Sequence, residues 1–280
     1  MDTQILAHNL SLLTGQTSAK EVLSRSLIAN NCSAYLLIGP PGVGKGFLAR
    51  IIGASLQNET NIYQAHPDRL IFDDLLAKNS SDDSENQWKK SVDDFVRFVY
   101  LSPVKSKVKI GILENIDRFS PQALNALLKT LEEPPADTIL ILTAQEIGRI
   151  LPTILSRVQV VRVNYLSDEE VRQYSQKYLP DQSEEIVALA NGAIGFAHQL
   201  ANDNKLRKAI IGYADKFALL LKKDIPAVLQ AVNIKEREEA ILLVQIWLNL
   251  ARRMLLVKNQ PDAVPASLTS LVNNYSDTAL

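Results

Sequence analysis

The stretch GPPGVGKGFLAR, Gly39–Arg50, decides how this 280-residue chain is read. Gly39, Gly44 and Lys45 fall at the spacing G-x-x-x-x-G-K, with Gly42 between them, directly after the apolar run AYLLI and before a helical pattern that opens near Lys45. The order matters, because successive backbone N–H groups leading into a helix N-terminus make an anion site, and the lysine adds a point charge. The next position ordinarily supplies the hydroxyl that ligates magnesium between the terminal phosphates. Here it is Gly46, which has no side-chain oxygen.

Around this loop, AYLLIG (from Ala34), KVKIGIL (from Lys107), TILILT (from Thr138) and VQVVRV (from Val158) are apolar and rich in branched residues, without the alternation of a half-exposed sheet. Strands buried on both faces read this way, so the pattern predicts an α/β fold with a parallel sheet between helices. SPQALNALLKTLEEPP supplies one well-marked helix, with Ser120 as N-cap, Pro121 in the first turn and Pro134-Pro135 closing it. After residue 164 the strand signal stops, and SDEEVRQYSQKYL opens on a capping box, Ser167 with Glu170. The expected organisation is an α/β domain over 1–164, a small helical domain over 165–204 and a second helical domain over 205–280. The polar run KNSSDDSENQ, from Lys78, reads as a surface loop.

Composition narrows the function classes. Hydrophobic residues at 46%, charged residues at 22% and a net charge of −1 give no global pull toward nucleic acid. The single cysteine, Cys32, excludes an internal disulfide and a multi-cysteine zinc site, and fits a reducing cytoplasm. The N-terminus has no basic region followed by an apolar core, so no secretory signal is expected. The apolar stretch Ala240–Val257 contains Arg252 and Arg253, and reads as a bundle helix rather than a membrane span.

A second element of nucleotide chemistry is KIGILENIDRFS. Glu114 stands where an aspartate would help hold magnesium, and Asn115 where a glutamate would polarise the attacking water, a proton an amide cannot accept near neutral pH.

ENIDRFSPQALNALLKTLEEPP followed by TILILTAQEIGRILPTILSR resembles the clamp-loader branch of the AAA+ proteins. The resemblance runs from about residue 13 to 200 and includes HPD at His66 and the SVDDFVRFV helix. It implies an AAA+ phosphate-loop domain, a helical lid and a collar-like C-terminal region. Arg157 matches the arginine finger that reaches into a neighbouring subunit's ATP, Ser156 matches its serine, and Val158 departs from the usual cysteine. Ala144-Gln145 replace the Thr or Asn of the first sensor, and Gly195 replaces the arginine of the second. With Gly46 and Asn115 these changes resemble the delta-prime type of the bacterial DNA polymerase III loader more than the gamma or tau motor type.

The resemblance implies partners among gamma/tau and delta subunits, with the sliding clamp and primer-template DNA met through the assembly, and no membrane. It also implies ATP bound weakly, if at all, without hydrolysis at Gly39, Gly42, Gly44, Lys45 and Glu114. No resident metal is expected: SLQNETNIYQAHPD lacks the four-cysteine zinc module found before HPD in many members, which leaves His66 structural. Two alternatives stay open. An active gamma/tau-class ATPase would need an acid besides Glu114 for its magnesium, and a phosphotransferase acting on a small molecule would leave the NALLKTLEEPP block unexplained. No helix-turn-helix or basic-aromatic stripe marks sequence-specific DNA binding.

Overall fold

The computed structural model describes residues 1–72, 84–179, 184–221, 243–244, 246–248 and 250–251. The chain divides into two compact units, Met1–Tyr165 and Leu166–Leu280.

The first unit runs α1 (Thr3–Ser11), α2 (Thr17–Ala29), β1 (Ala34–Ile38), α3 (Lys45–Leu56), β2 (Arg69–Phe72), α4 (Ser84–Tyr100), β3 (Lys109–Leu113), α5 (Pro121–Glu132), β4 (Thr138–Ala144), α6 (Pro152–Leu155) and β5 (Gln159–Arg162). The sheet order is β2-β3-β4-β1-β5, and every pair is parallel. The expected parallel sheet is therefore present, with one strand more than the sequence patterns marked. β2 is the addition: RLIF is short, and all but its first residue are half-buried at the sheet edge, so it carries little apolar signal.

Side chains on the central strands go alternately to two cores. Tyr35 and Leu37 of β1, Ile110 and Ile112 of β3, and Ile139 and Ile141 of β4 pack in one cluster with Leu23, Leu48, Ile51 and Ile52. Ala34 and Leu36, Leu113, and Leu140 and Leu142 pack in the other with Phe95, Leu124 and Leu127. Each face is covered by helices, so both alternating sets are apolar and the period of two disappears from the sequence. Gly111 is the gap in β3 that admits α4: a Cβ there would lie 2.5 Å from Phe95 Cζ and 3.1 Å from Leu140 Cδ2. α5 begins as its sequence predicts, with Ser120 Oγ accepting the Ala123 N–H at the N-cap and Pro121 in the first turn. Of the run expected as a loop, Ser84–Gln87 instead opens α4, whose Glu and Gln favour helix, while 78–83 lie outside the described residues.

The second unit is helical throughout its described part: α7 (Asp168–Tyr178), α8 (Glu184–Ala190), α9 (Ile194–Asn202) and α10 (Asn204–Leu221). The Ser167–Glu170 capping box forms as expected. One apolar cluster takes Val171, Ile186, Val187 and Leu200 together with Ile210, Tyr213, Leu243 and Ile246, so residues on both sides of the 204/205 position share a core. Trp247 Nε1 donates to Tyr213 O at 2.9 Å. Val244 and Leu248, one turn apart on the segment predicted as a bundle helix, are exposed, and most of that segment lies outside the described residues. Among the described residues no helix is long and apolar enough to cross a membrane.

The entrance to β2 is held by charge. Asp68 is fully buried; its carboxylate accepts the N–H groups of Val104, Lys105 and Ser106 at 2.7, 2.7 and 2.9 Å and lies 3.1 Å from Lys109 Nζ. Burial alone would push this carboxyl up, but the three backbone donors and the ammonium hold it well below the usual carboxylate range. His66 is structural, as read: its Nδ1 accepts the Asp68 N–H at 3.0 Å, and burial pushes its imidazole below the ordinary value of 6.5 against the pull of Glu59 and Asp68. Both shifts are downward, so the unfolded chain binds more protons than the folded one, and stability falls as pH falls. Denaturant unfolding across pH is expected to show a first loss below pH 6.5 from His66 and a second through the carboxylate range from Asp68. Asp68→Asn is expected to cost about 3–5 kcal/mol at neutral pH, because it leaves Lys109 buried without its counter-charge. It should also flatten the lower acid limb, and an unchanged limb would contradict this account.

Candidate functional site

The glycine-rich loop Gly39–Lys45 starts inside the sheet ladder. Gly39 N donates to Ala144 O at 3.2 Å and Val163 N donates to Ile38 O at 2.8 Å, so β1 is gripped by β4 on one side and by the exit of β5 on the other up to the first loop residue. A Cβ at Gly39 would lie 1.9 Å from the Val163 carbonyl oxygen, a contact only glycine avoids. Gly42 and Gly44 then turn the chain with φ of +75° and +99°, and α3 begins at Lys45. The backbone path expected from the spacing is built: a tight turn feeding a helix N-terminus.

What fills it is the chain itself. Lys45, only 7% exposed, donates from Nζ to Gly39 O and Pro40 O, both at 2.7 Å. Burial lowers its pKa to about 8, while the charges of Asp117 and Glu114 oppose the drop, so the side chain is still cationic at neutral pH.

At the very next residue, the missing hydroxyl has a counterpart. A Cβ at Gly46 would lie 2.9 Å from both carboxylate oxygens of Glu114, so the glycine leaves the room into which Glu114 reaches from the end of β3. Arg50, one helical turn beyond Gly46, closes the group: Nη1 donates to Glu114 Oε1 at 2.6 Å and to Gly46 O at 3.1 Å. Both side chains are mostly buried, 26% and 13% exposed. A charge-assisted contact of this length in a sheltered place is a strong one. The residues present do not fit a magnesium ion held between a loop hydroxyl and a strand carboxylate. Position 46 offers no side-chain oxygen, and the carboxylate already faces a guanidinium.

The other predicted positions fall in separate places. Asn115 follows β3 in the left-handed region at φ +56°, and its N–H donates to Thr143 Oγ1 at 2.9 Å. Gln145 N donates to Asp117 Oδ2 at 3.2 Å, while Asp117 Oδ1 is buried with no hydrogen-bond partner. Gly195 lies in the first turn of α9, in the second unit. Arg157 follows α6 and belongs to none of these contacts. Its Nη2 lies 2.6 Å from Glu132 Oε1, and its Nη1 donates to Thr153 O at 2.7 Å and Ser156 Oγ at 2.9 Å. Among the described residues no cluster of His, Cys, Asp and Glu is placed to hold a metal ion.

Three participants escaped the sequence reading: Arg50, Asp117 and Glu132. Arg50 had a usable signal, since a residue four positions after a glycine lies over the gap that glycine leaves on the helix face. Glu132 had none, because its partner is 25 positions away, across β4.

The family described as DNA polymerase III, delta subunit, matches residues 15–167, more than half of the chain. The chain belongs to that family. This family member is similar to the DNA polymerase III subunit gamma of Buchnera aphidicola, with 28% identity over 54% of this chain and 43% of the relative. Its identity to subunit delta' of Pseudomonas aeruginosa is 30%, over 71% and 64% of the two chains. With subunit tau of Bacillus subtilis it shares 27%, over 89% and 50%. It spans less than two thirds of the length of each. Relatives named for three different subunits fall within 27–30% identity, so identity does not assign the subunit type.

Two glycines of this family member's loop are expected to respond differently to the same change. Gly39→Ala meets backbone and should cost more than about 4 kcal/mol or prevent folding. Gly46→Ala meets only the flexible end of Glu114 and should stay within about 1 kcal/mol in denaturant unfolding. Equal losses would mean that Glu114 is fixed far more rigidly than its contacts indicate.

Proposed function

We propose that this chain is a delta-prime-type subunit of the DNA polymerase III clamp loader: a hydrolysis-deficient stator that offers Arg157 to the ATP of a neighbouring motor subunit. The observation that carries this reading is the Arg50–Glu114 pair over Gly46. The carboxylate that would serve magnesium is neutralised within the chain, in the space where the loop hydroxyl would stand. Asn115 and Gln145 add an amide at the water-activating position and another at the first sensor. Family membership and relatives named gamma, tau and delta' support a place in that loader.

In this reading the partners are gamma/tau and delta subunits, and the sliding clamp and primer-template DNA are met through the assembled complex in the cytoplasm. The loop of Gly39, Gly42, Gly44 and Lys45 binds ATP weakly and does not turn it over. An arginine supplied in trans steadies the charge that develops on a transferred phosphoryl group, an effect worth about 10³–10⁵ in rate in well-studied systems.

One observation favours a second reading, an active ATPase of the gamma/tau class. Asp117 is the leading charge acting on Lys45 and has a buried oxygen without a hydrogen-bond partner, as an acid that ligates a metal would.

ATP turnover with magnesium separates the two, measured on the chain alone and then mixed with a gamma/tau subunit. The stator reading expects no turnover alone. It also expects stimulation of the partner that Arg157→Ala removes while the complex still co-elutes on a sizing column. Turnover by the isolated chain, abolished by Asp117→Asn, would install the second reading instead.

A further inference from the structure

The guanidinium of Arg157 is already committed inside its own chain. Its Nη2 edge faces Glu132 Oε1 at 2.6 Å, and its Nη1 edge is taken by Thr153 O and Ser156 Oγ. The two Nη1 acceptors are local, within four residues of the arginine, and travel with it. Glu132 is different: it belongs to the last turn of α5, on a separate element.

Its position there is not explained by helix stability. The C-terminal end of a helix carries partial negative charge, so a carboxylate in the last turn works against the dipole. Nor does the pair add much as a staple. The side chains are 31% and 49% exposed, and pairs so open to water shift an equilibrium by a factor of about 1–5. That range suits a contact made to be broken. An oxygen with one negative charge holds the Nη2 edge, and the polyphosphate of a nucleoside triphosphate presents several charged oxygens to the same donors.

We propose that Glu132 is a positioning residue that parks Arg157, competing with the neighbouring subunit's nucleotide for the Nη2 edge. This rests on the stator reading above, in which Arg157 acts in trans. The finger is then free for only part of the time, and the apparent affinity of the composite site for ATP is reduced by that fraction. Binding of triphosphate next door displaces Glu132, and loss of the terminal phosphate returns the arginine to it.

The test is ATP hydrolysis by the full chain mixed with its gamma/tau partner, comparing wild type with Glu132→Gln, and with Glu133→Gln as the same charge change one position along. Glu132→Gln is expected to lower the KM for ATP by about two- to fivefold with kcat unchanged; Glu133→Gln is expected to leave both constants alone. The Glu132→Gln effect should vanish in the double variant with Arg157→Ala. A lowered kcat would overturn the proposal by showing that Glu132 aligns the finger rather than withholding it, and an unchanged KM would show that the pair does not compete. The Arg157→Ala single variant keeps the two claims apart: if stimulation survives it, the stator reading falls and this inference with it. If stimulation is lost there yet Glu132→Gln changes nothing, only the inference falls.

Discussion

The close passage of Gly39 beneath the Val163 carbonyl is the constraint on which the rest of the first unit depends. β1 is hydrogen-bonded on both sides up to this residue, and the 1.9 Å approach that a Cβ would make leaves no alternative to glycine. From that fixed point the chain has only Gly42 and Gly44 with which to turn into α3. The loop geometry is thus demanded by the packing of the sheet, before any ligand is considered. Lys45 follows the same logic. Its ammonium satisfies the carbonyls of Gly39 and Pro40, so the residue closes the turn it came from. The packing around Gly39 thus asks for the same loop spacing with or without a nucleotide.

How much of this was legible in the sequence follows from what each feature rests on. The central strands could be read because burial on both faces makes AYLLI, KIGIL and TILILT almost wholly apolar, and α5 could be read because Ser120 and Pro121 act locally. RLIF could not, since an edge strand of four residues, three of them half-buried, has neither the length nor the apolarity to stand out. SENQ looked like loop because polarity is shared by loops and by exposed helix faces. The loop residues Gly39, Gly42, Gly44 and Lys45 were found in order, because a phosphate loop is contiguous. The pair that occupies the space over Gly46 is half visible: Glu114 as an unusual acid, Arg50 only through its place four residues after a glycine. Ion pairs join residues that the fold brings together, and nothing in Glu132 as a letter announces a partner 25 positions away.

The charges around the loop form two sets with opposite implications. Arg50 and Glu114 cancel one another in a sheltered place, which removes an acid from service to a metal. Lys45 and Asp117 are less complete, since one Asp117 oxygen is buried without a hydrogen bond and Lys45 remains cationic at a pKa near 8. The unpartnered Asp117 oxygen is the observation behind the active-ATPase proposal, and the paired Glu114 the one behind the stator proposal.

The same comparison separates the loop from Arg157. Arg50 is sheltered and meets its carboxylate across two elements of one core, so leaving Glu114 would strand a charge in poor solvent. Arg157 is a third exposed and meets Glu132 at the outer ends of α5 and α6, so either partner can return to water at little cost. Two arginine–glutamate pairs of equal length, 2.6 Å each, thus differ in what they can do. The difference lies with the glutamates, Glu114 at 13% exposed against Glu132 at 49%, and the parking proposal uses it, with the second pair exchanging for a ligand of higher charge. In the proposed reading this is the division of labour within a stator: the arginine facing its own phosphate loop is locked, and the arginine facing outward is held loosely enough to be given away.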